Sequence, residues 1–145
     1  MYAFAKSFRL PASAAIVLML AIASGCAMMG KKDGVKVTLT GSEEVPPVSS
    51  PATGSGTIVV LPDRSVSGSV TVSGMATTVG HIHEAARGTN GPVIVPLVKN
   101  GDTYSVPAGA RLTEAQYASY LAGNLYVNVH SASNPPGEIR GQLKP

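Results

Sequence analysis

The chain has no tryptophan, a single cysteine and few aromatic residues, and charged residues make up only 13% of its 145 positions. One cysteine excludes an intramolecular disulfide, so the fold must stand on packing and hydrogen bonds alone. Sparse charge, with no Lys/Arg cluster beyond Lys31-Lys32, excludes the basic surface that nucleic-acid binding requires. No G-x-S-x-G elbow, catalytic cysteine or phosphate loop is present, which removes the common signatures of nucleophilic and phosphoryl chemistry. There is no internal repeat. No apolar run reaches the ~20 residues that a bilayer-spanning helix needs.

What is present begins with an export pattern. Lys6 and Arg9 give positive charge, no charged residue follows through residue 25, and residues 14–23 (AAIVLMLAIA) are almost wholly apolar. Small residues then lead into cysteine as Ala23-Ser24-Gly25-Cys26. A basic start, a short apolar stretch and a small-residue cleavage site make a secretory signal. The segment resembles a bacterial lipobox, with Ala23 where leucine is usual. That resemblance implies cleavage before Cys26 and acylation of its thiol. The alternative is an ordinary signal peptide with a chance cysteine, but an unmodified thiol in an oxidising compartment would be a liability. Stable anchoring needs more than one acyl chain, and bacterial lipoproteins carry several.

The expected organisation is therefore a signal over residues 1–25, a lipidated Cys26 with a tether through residue 34, and one domain over residues 35–145. Losing Lys6 and Arg9 with the signal lowers the formal charge from +3 to +1. The expected location is the cell envelope, attached to membrane through the lipid. Ala27, in place of an aspartate, points to the outer membrane in a Gram-negative source.

The remaining residues are rich in Gly, Pro, Ser, Thr and Val, a composition of short strands between turns. Residues 35–40 (VKVTLT) alternate apolar and polar, as do residues 65–73 (SVSGSVTVS), where Val66, Val70 and Val72 share one face and the hydroxyl residues the other. Residues 43–55, with three prolines, read as a loop before a strand at 56–61. Further strands are expected at 79–84, 92–98, 103–106, 124–131 and 138–143. Pro96 marks an edge or a break in its strand. The one helical signal has Thr113 as N-cap, Gln116 at the capping-box position and Gly123 as terminator. Seven or eight strands and one short helix predict an all-β fold, a Greek-key-type antiparallel β-sandwich.

All three histidines fall in two strand motifs, His81-Ile82-His83 and Asn128-Val129-His130. Side chains alternate along a strand, so His81 and His83 share a face, as do Tyr126, Asn128 and His130. Side by side, the two strands can bring three imidazoles together on one polar face. Imidazole suits copper and zinc, and copper(II) outcompetes zinc at most such sites. Three protein ligands leave a position for water or substrate. The same histidines also read as solvated residues or as structural hydrogen-bond formers. Asn128 can orient an imidazole. Glu138 and Arg140 share a face of the last strand and can support the site or pin the loop after His130; Arg140 can also attract an anion. Glu84 points away from the histidines, and Met75 reads as filler rather than ligand.

With these residues in view, the chain resembles the CHRD-domain family, small β domains that also occur as stand-alone exported bacterial proteins. The resemblance spans about residues 35–144 and rests on GSEEVPP at 41–47, GHIHEAARGTNG with PVIVPL at 80–97, LYVNVH at 125–130 and NPPGEIRGQL at 134–143. Ala85 stands where glycine is frequent and Ser131 where threonine is. A weaker resemblance, to Cu/Zn superoxide dismutases, lies in the sandwich, the H-x-H pair and the late histidine. No fourth histidine, zinc loop or disulfide accompanies it. The resemblances imply a single copper or zinc ion on His81, His83 and His130. Two other readings stand beside this one: a non-catalytic envelope adhesion or scaffold domain, and a copper-dependent dismutase.

Overall fold

A computed structural model describes residues 33–145; the expected export signal, Cys26 and the expected tether up to residue 32 lie outside the described residues. Among the described residues, nine antiparallel strands form one hydrogen-bonded ladder with a single α-helix: β1 (Val35–Thr40), β2 (Thr53–Val60), β3 (Val66–Ser73), β4 (Thr77–Glu84), β5 (Val93–Pro96), β6 (Val98–Asn100), β7 (Thr103–Ser105), α1 (Glu114–Leu121), β8 (Leu125–Ser131) and β9 (Ile139–Leu143). The order across the sheet is β5-β4-β8-β9-β1-β2-β3-β7-β6. The fold is all-β, as the composition and turn pattern predict.

The ladder's two edges, β5 and β6, are neighbours in sequence, separated by Leu97 alone. Pro96 cannot donate to a ladder, so pairing stops there and the chain crosses from one edge to the other. Leu97 N–H then donates to the Gly80 carbonyl at 2.9 Å, and Lys99 Nζ donates to the Thr77 carbonyl at 2.6 Å. These bonds draw the β6 edge against β4 and close the sandwich almost into a barrel. The edge and the break expected at Pro96 are both present.

Alternation fills the interior. Val37 and Leu39 of β1, Ile58 and Val60 of β2, and Val66, Val70 and Val72 of β3 are buried. They meet Ile82, Leu125, Val127, Val129, Ile139 and Leu143 from the other layer. Each such side chain contributes roughly 1.5–3 kcal/mol on leaving water. The outer face of β3 stays wet, with Ser67, Thr71 and Ser73 exposed. The helix starts as its sequence predicts: Gln116 N–H donates to Thr113 Oγ1 at 3.2 Å, and Thr113 N–H donates to Gln116 Oε1 at 2.9 Å.

Several strand ends shift by one or two residues from the sequence expectation, and two differences are larger. β2 begins at Thr53 rather than residue 56, because every residue from Thr53 to Val60 pairs with β3 although Gly54 and Gly56 weaken the strand signal. The expected strand over 92–98 is split in two, which accounts for nine strands rather than seven or eight.

Candidate metal centre

The polar face of β8 is not a wet face. All seven residues from Leu125 to Ser131 are buried, His130 and Asn128 included. The cover comes from three loops, around Glu44, over residues 85–91 and over residues 132–138. It places the histidines between strand and loop rather than in open solvent.

Antiparallel pairing sets His81 opposite Asn128 and His83 opposite Tyr126, which brings His81 and His83 beside His130. One ring nitrogen from each histidine lies within 4.8 Å of the other two. His81 Nδ1 and His130 Nε2 are 3.2 Å apart. Two imidazoles on one tetrahedral ion at ~2.0–2.1 Å would sit about 3.3 Å apart, so this pair already has ligand spacing.

Two of the three rings are fixed by backbone carbonyls. His83 Nδ1–H donates to Gly91 O at 2.9 Å, and His130 Nδ1–H donates to Pro135 O at 2.8 Å. A carbonyl can only accept, so Nδ1 is the donor in both rings, which in the neutral tautomer leaves Nε2 as the lone-pair nitrogen. Such an outer hydrogen bond is the usual means by which a metal-binding histidine is oriented and its tautomer set. The His83 Nε2 lone pair is buried and has no hydrogen-bond partner. A buried polar atom left unpaired costs roughly 1–3 kcal/mol, and a bound ion would satisfy it. With His130 Nε2 accepting, His81 Nδ1 holds the proton of their shared hydrogen bond. Burial, followed by the charges of its neighbours, lowers the pKa of His81. Burial lowers that of His83 despite its bond to Gly91. Both are thereby kept in the neutral form that binds metal.

Tyr126 and Arg140 hold this arrangement from behind. The Tyr126 ring stacks on His83, centroids 4.9 Å apart at 11°, and the Arg140 guanidinium lies over the same ring at 3.5 Å from its centroid. Tyr126 OH accepts from Gly91 N–H at 3.1 Å. Gly91 thus bonds through both its backbone polar groups, and a Cβ there would collide with the Glu84 carbonyl. Arg140, 1% exposed, donates to Thr89 O at 2.9 Å and Ala86 O at 3.3 Å, and so clamps the loop that carries Gly91. Gln142 Nε2 adds a bond to Ala85 O at 2.9 Å.

Three expected supporting roles take different form. Asn128 bonds no imidazole: its Nδ2 donates to Glu44 Oε1 at 2.9 Å and Oε2 at 3.0 Å. Arg140 is taken up by loop carbonyls and is too enclosed to draw an anion from solvent. Glu138 and Arg140 form no ion pair; Glu138 Oε1 instead accepts from Ser50 Oγ at 2.6 Å. Glu84 does point away from the histidines, accepting from Ser119 Oγ at 2.6 Å, and Met75 packs against the core.

Sequence reasoning missed Glu44 and the two carbonyls. Glu44 is 6% exposed, and burial raises its pKa from 4.5 to about 7, opposed by the Asn128 hydrogen bond and the Arg140 charge. Gly137, at φ +148°, lies so close that a Cβ would sit 2.6–2.8 Å from Asn128 and Glu44 atoms. Carbonyl partners have no side-chain signature. Tyr126, however, was legible as a neighbour of Asn128 and His130 on the same face.

Comparison with known proteins agrees with these features. The CHRD-domain family model matches residues 35–143. No curated protein and no solved structure matches the chain. The match covers every strand and all three histidines, and the chain belongs to the CHRD-domain family.

Proposed function

We propose that this protein is an exported, lipid-anchored envelope protein whose CHRD domain holds one copper ion on His81, His83 and His130. The observation that carries the metal reading is the His83 imidazole. One of its nitrogens is committed to the Gly91 carbonyl, and the other is buried, deprotonated and unpaired beside two more histidines. Three imidazoles suit copper(II) above zinc on affinity, and zinc is the competing occupant. When bound, copper supplies a Lewis-acidic, one-electron-active centre. The chain's own part is to orient the rings and limit water through the loops over residues 85–91 and 132–138. These features suit buffering or delivery of the ion.

Replacing all three histidines with alanine should abolish stoichiometric copper uptake while leaving the circular dichroism of the β fold intact; uptake retained by the folded triple variant contradicts the reading. The anchoring part rests on the residues leading into Cys26. Its test is radiolabelled palmitate incorporation in the producing bacterium, expected for the native chain and lost in Cys26→Ser; equal labelling, or none in either, rules it out.

The scaffold reading drew on the hydroxyl-rich outer face. Those groups bond across strands, Thr71 Oγ1 to Thr103 Oγ1 at 3.2 Å and Thr53 Oγ1 to Ser73 Oγ at 3.4 Å, and a solvated sheet accounts for them without a partner.

A further inference from the structure

The three histidines are not equivalent, and the difference is one of anchoring and exposure. His83 and His130 are buried and each is tied to a backbone carbonyl. His81 is partly exposed, and its ring's one hydrogen bond among the described residues is to His130 itself. That bond joins the two nitrogens that stand at ligand spacing. His81 must therefore give up both the bond and its Nδ1 proton for that nitrogen to act as a ligand. Its other nitrogen is free to take the proton, so a tautomer change suffices. His83 and His130 need no such change. Two rings are thus held in their binding state by the fold, and one is held out of it by a contact that binding would replace.

From this asymmetry we infer that His81 is the exchangeable ligand, the side of the site through which copper enters and leaves, and that a nitrogen donor from outside the chain can take its place. The inference rests on the copper reading above. It assigns His83 and His130 as the permanent seat. The ion can then pass between this protein and a donor of imidazole type by stepwise ligand replacement: the incoming nitrogen bonds as His81 leaves, and copper keeps its oxidation state. Exchange of this kind needs one ligand that is accessible and lightly held, and His81 alone has both properties.

Chemical rescue tests it. Copper-loaded wild type, His81→Ala, His83→Ala and His130→Ala are compared for copper content, rate of release to a chelator and nitrogen hyperfine structure, with and without imidazole in modest excess. His81→Ala is expected to keep one copper, to release it about tenfold faster or more, and to recover slow release and the third nitrogen when imidazole is added. His83→Ala and His130→Ala are expected to lose copper and not to recover, because their positions are closed by the loops. Complete loss in His81→Ala without rescue, release at the wild-type rate, or equal rescue of all three variants overturns the inference while leaving the three-histidine site in place. A wild type that holds no copper overturns both readings.

Discussion

His83 and Tyr126 face each other across β4 and β8, their rings stacked 4.9 Å apart, and Gly91 bonds to both. Its carbonyl fixes the imidazole and its N–H reaches the phenol. One residue of the β4–β5 loop therefore couples the orientation of His83 to that of Tyr126. Tyr126→Phe keeps the stack but leaves Gly91 N–H without its acceptor. We expect a loss of about 1 kcal/mol in denaturant unfolding and a copper affinity lowered by a few-fold. An unchanged midpoint and affinity would show that Gly91 is held by the loop alone.

Arg140 acts one step further out. Its guanidinium is buried, clamps Thr89 O and Ala86 O, and covers the Tyr126 ring. Arg140→Met should cost about 1–3 kcal/mol, since Thr89 O is left without a donor while Ala86 O keeps the Thr89 N–H and hydroxyl. Arg140→Lys should recover only part, because an ammonium cannot match the planar fork. In whatever fraction folds, copper affinity should fall roughly 10–100-fold as the Gly91 carbonyl loses its fixed position. Wild-type affinity in a folded Arg140 variant would disconnect the clamp from the histidines.

Glu44 gives a pH signature of its own. Its folded pKa, about 7, lies above its ordinary value of 4.5. The folded state therefore favours the protonated acid. Its stabilising contribution is complete below pH 4.5 and is lost as pH rises to 7. A protonated Glu44 has a hydrogen to donate, and Asn128 Oδ1, buried without a partner, can accept it if the amide turns over. Glu44→Gln should flatten this slope, removing on the order of 2 kcal/mol of pH dependence between those limits once solvent screening is allowed for. A slope unchanged in the variant assigns the effect elsewhere.

The histidines bend the curve the other way. The pKa values of His81 and His83 are lowered in the fold, so their contribution is present above pH 6.5 and falls away as pH drops through their folded values. Copper binding follows the same groups. Affinity should hold as pH falls to 6.5 and then decline below it, later than for a free imidazole. A decline that begins well above pH 6.5 contradicts the depressed values.

Strand positions and histidine grouping were legible because both follow from local rules. Alternation in residues 65–73 fixes the buried face of β3, and a period of two puts His81 and His83 on one side. The capping pair at Thr113 and Gln116 needed only three residues' spacing. What stayed hidden depends on residues distant in sequence. The face carrying Tyr126, Asn128 and His130 reads as wet until loops from residues 44, 85–91 and 132–138 cover it. Asn128 then finds Glu44, not an imidazole, and Arg140 finds carbonyls, not an anion. Leu97 helps to bring the sheet nearly closed through a backbone bond to Gly80 that no side chain advertises.

The most direct test is metal content with electron paramagnetic resonance on the protein stripped by chelation, loaded with copper and dialysed, beside the triple histidine-to-alanine variant. About one copper per chain is expected, with a type-2 spectrum split by nitrogen and absent from the variant. A wild type that retains no copper, or a variant that retains as much, would contradict it.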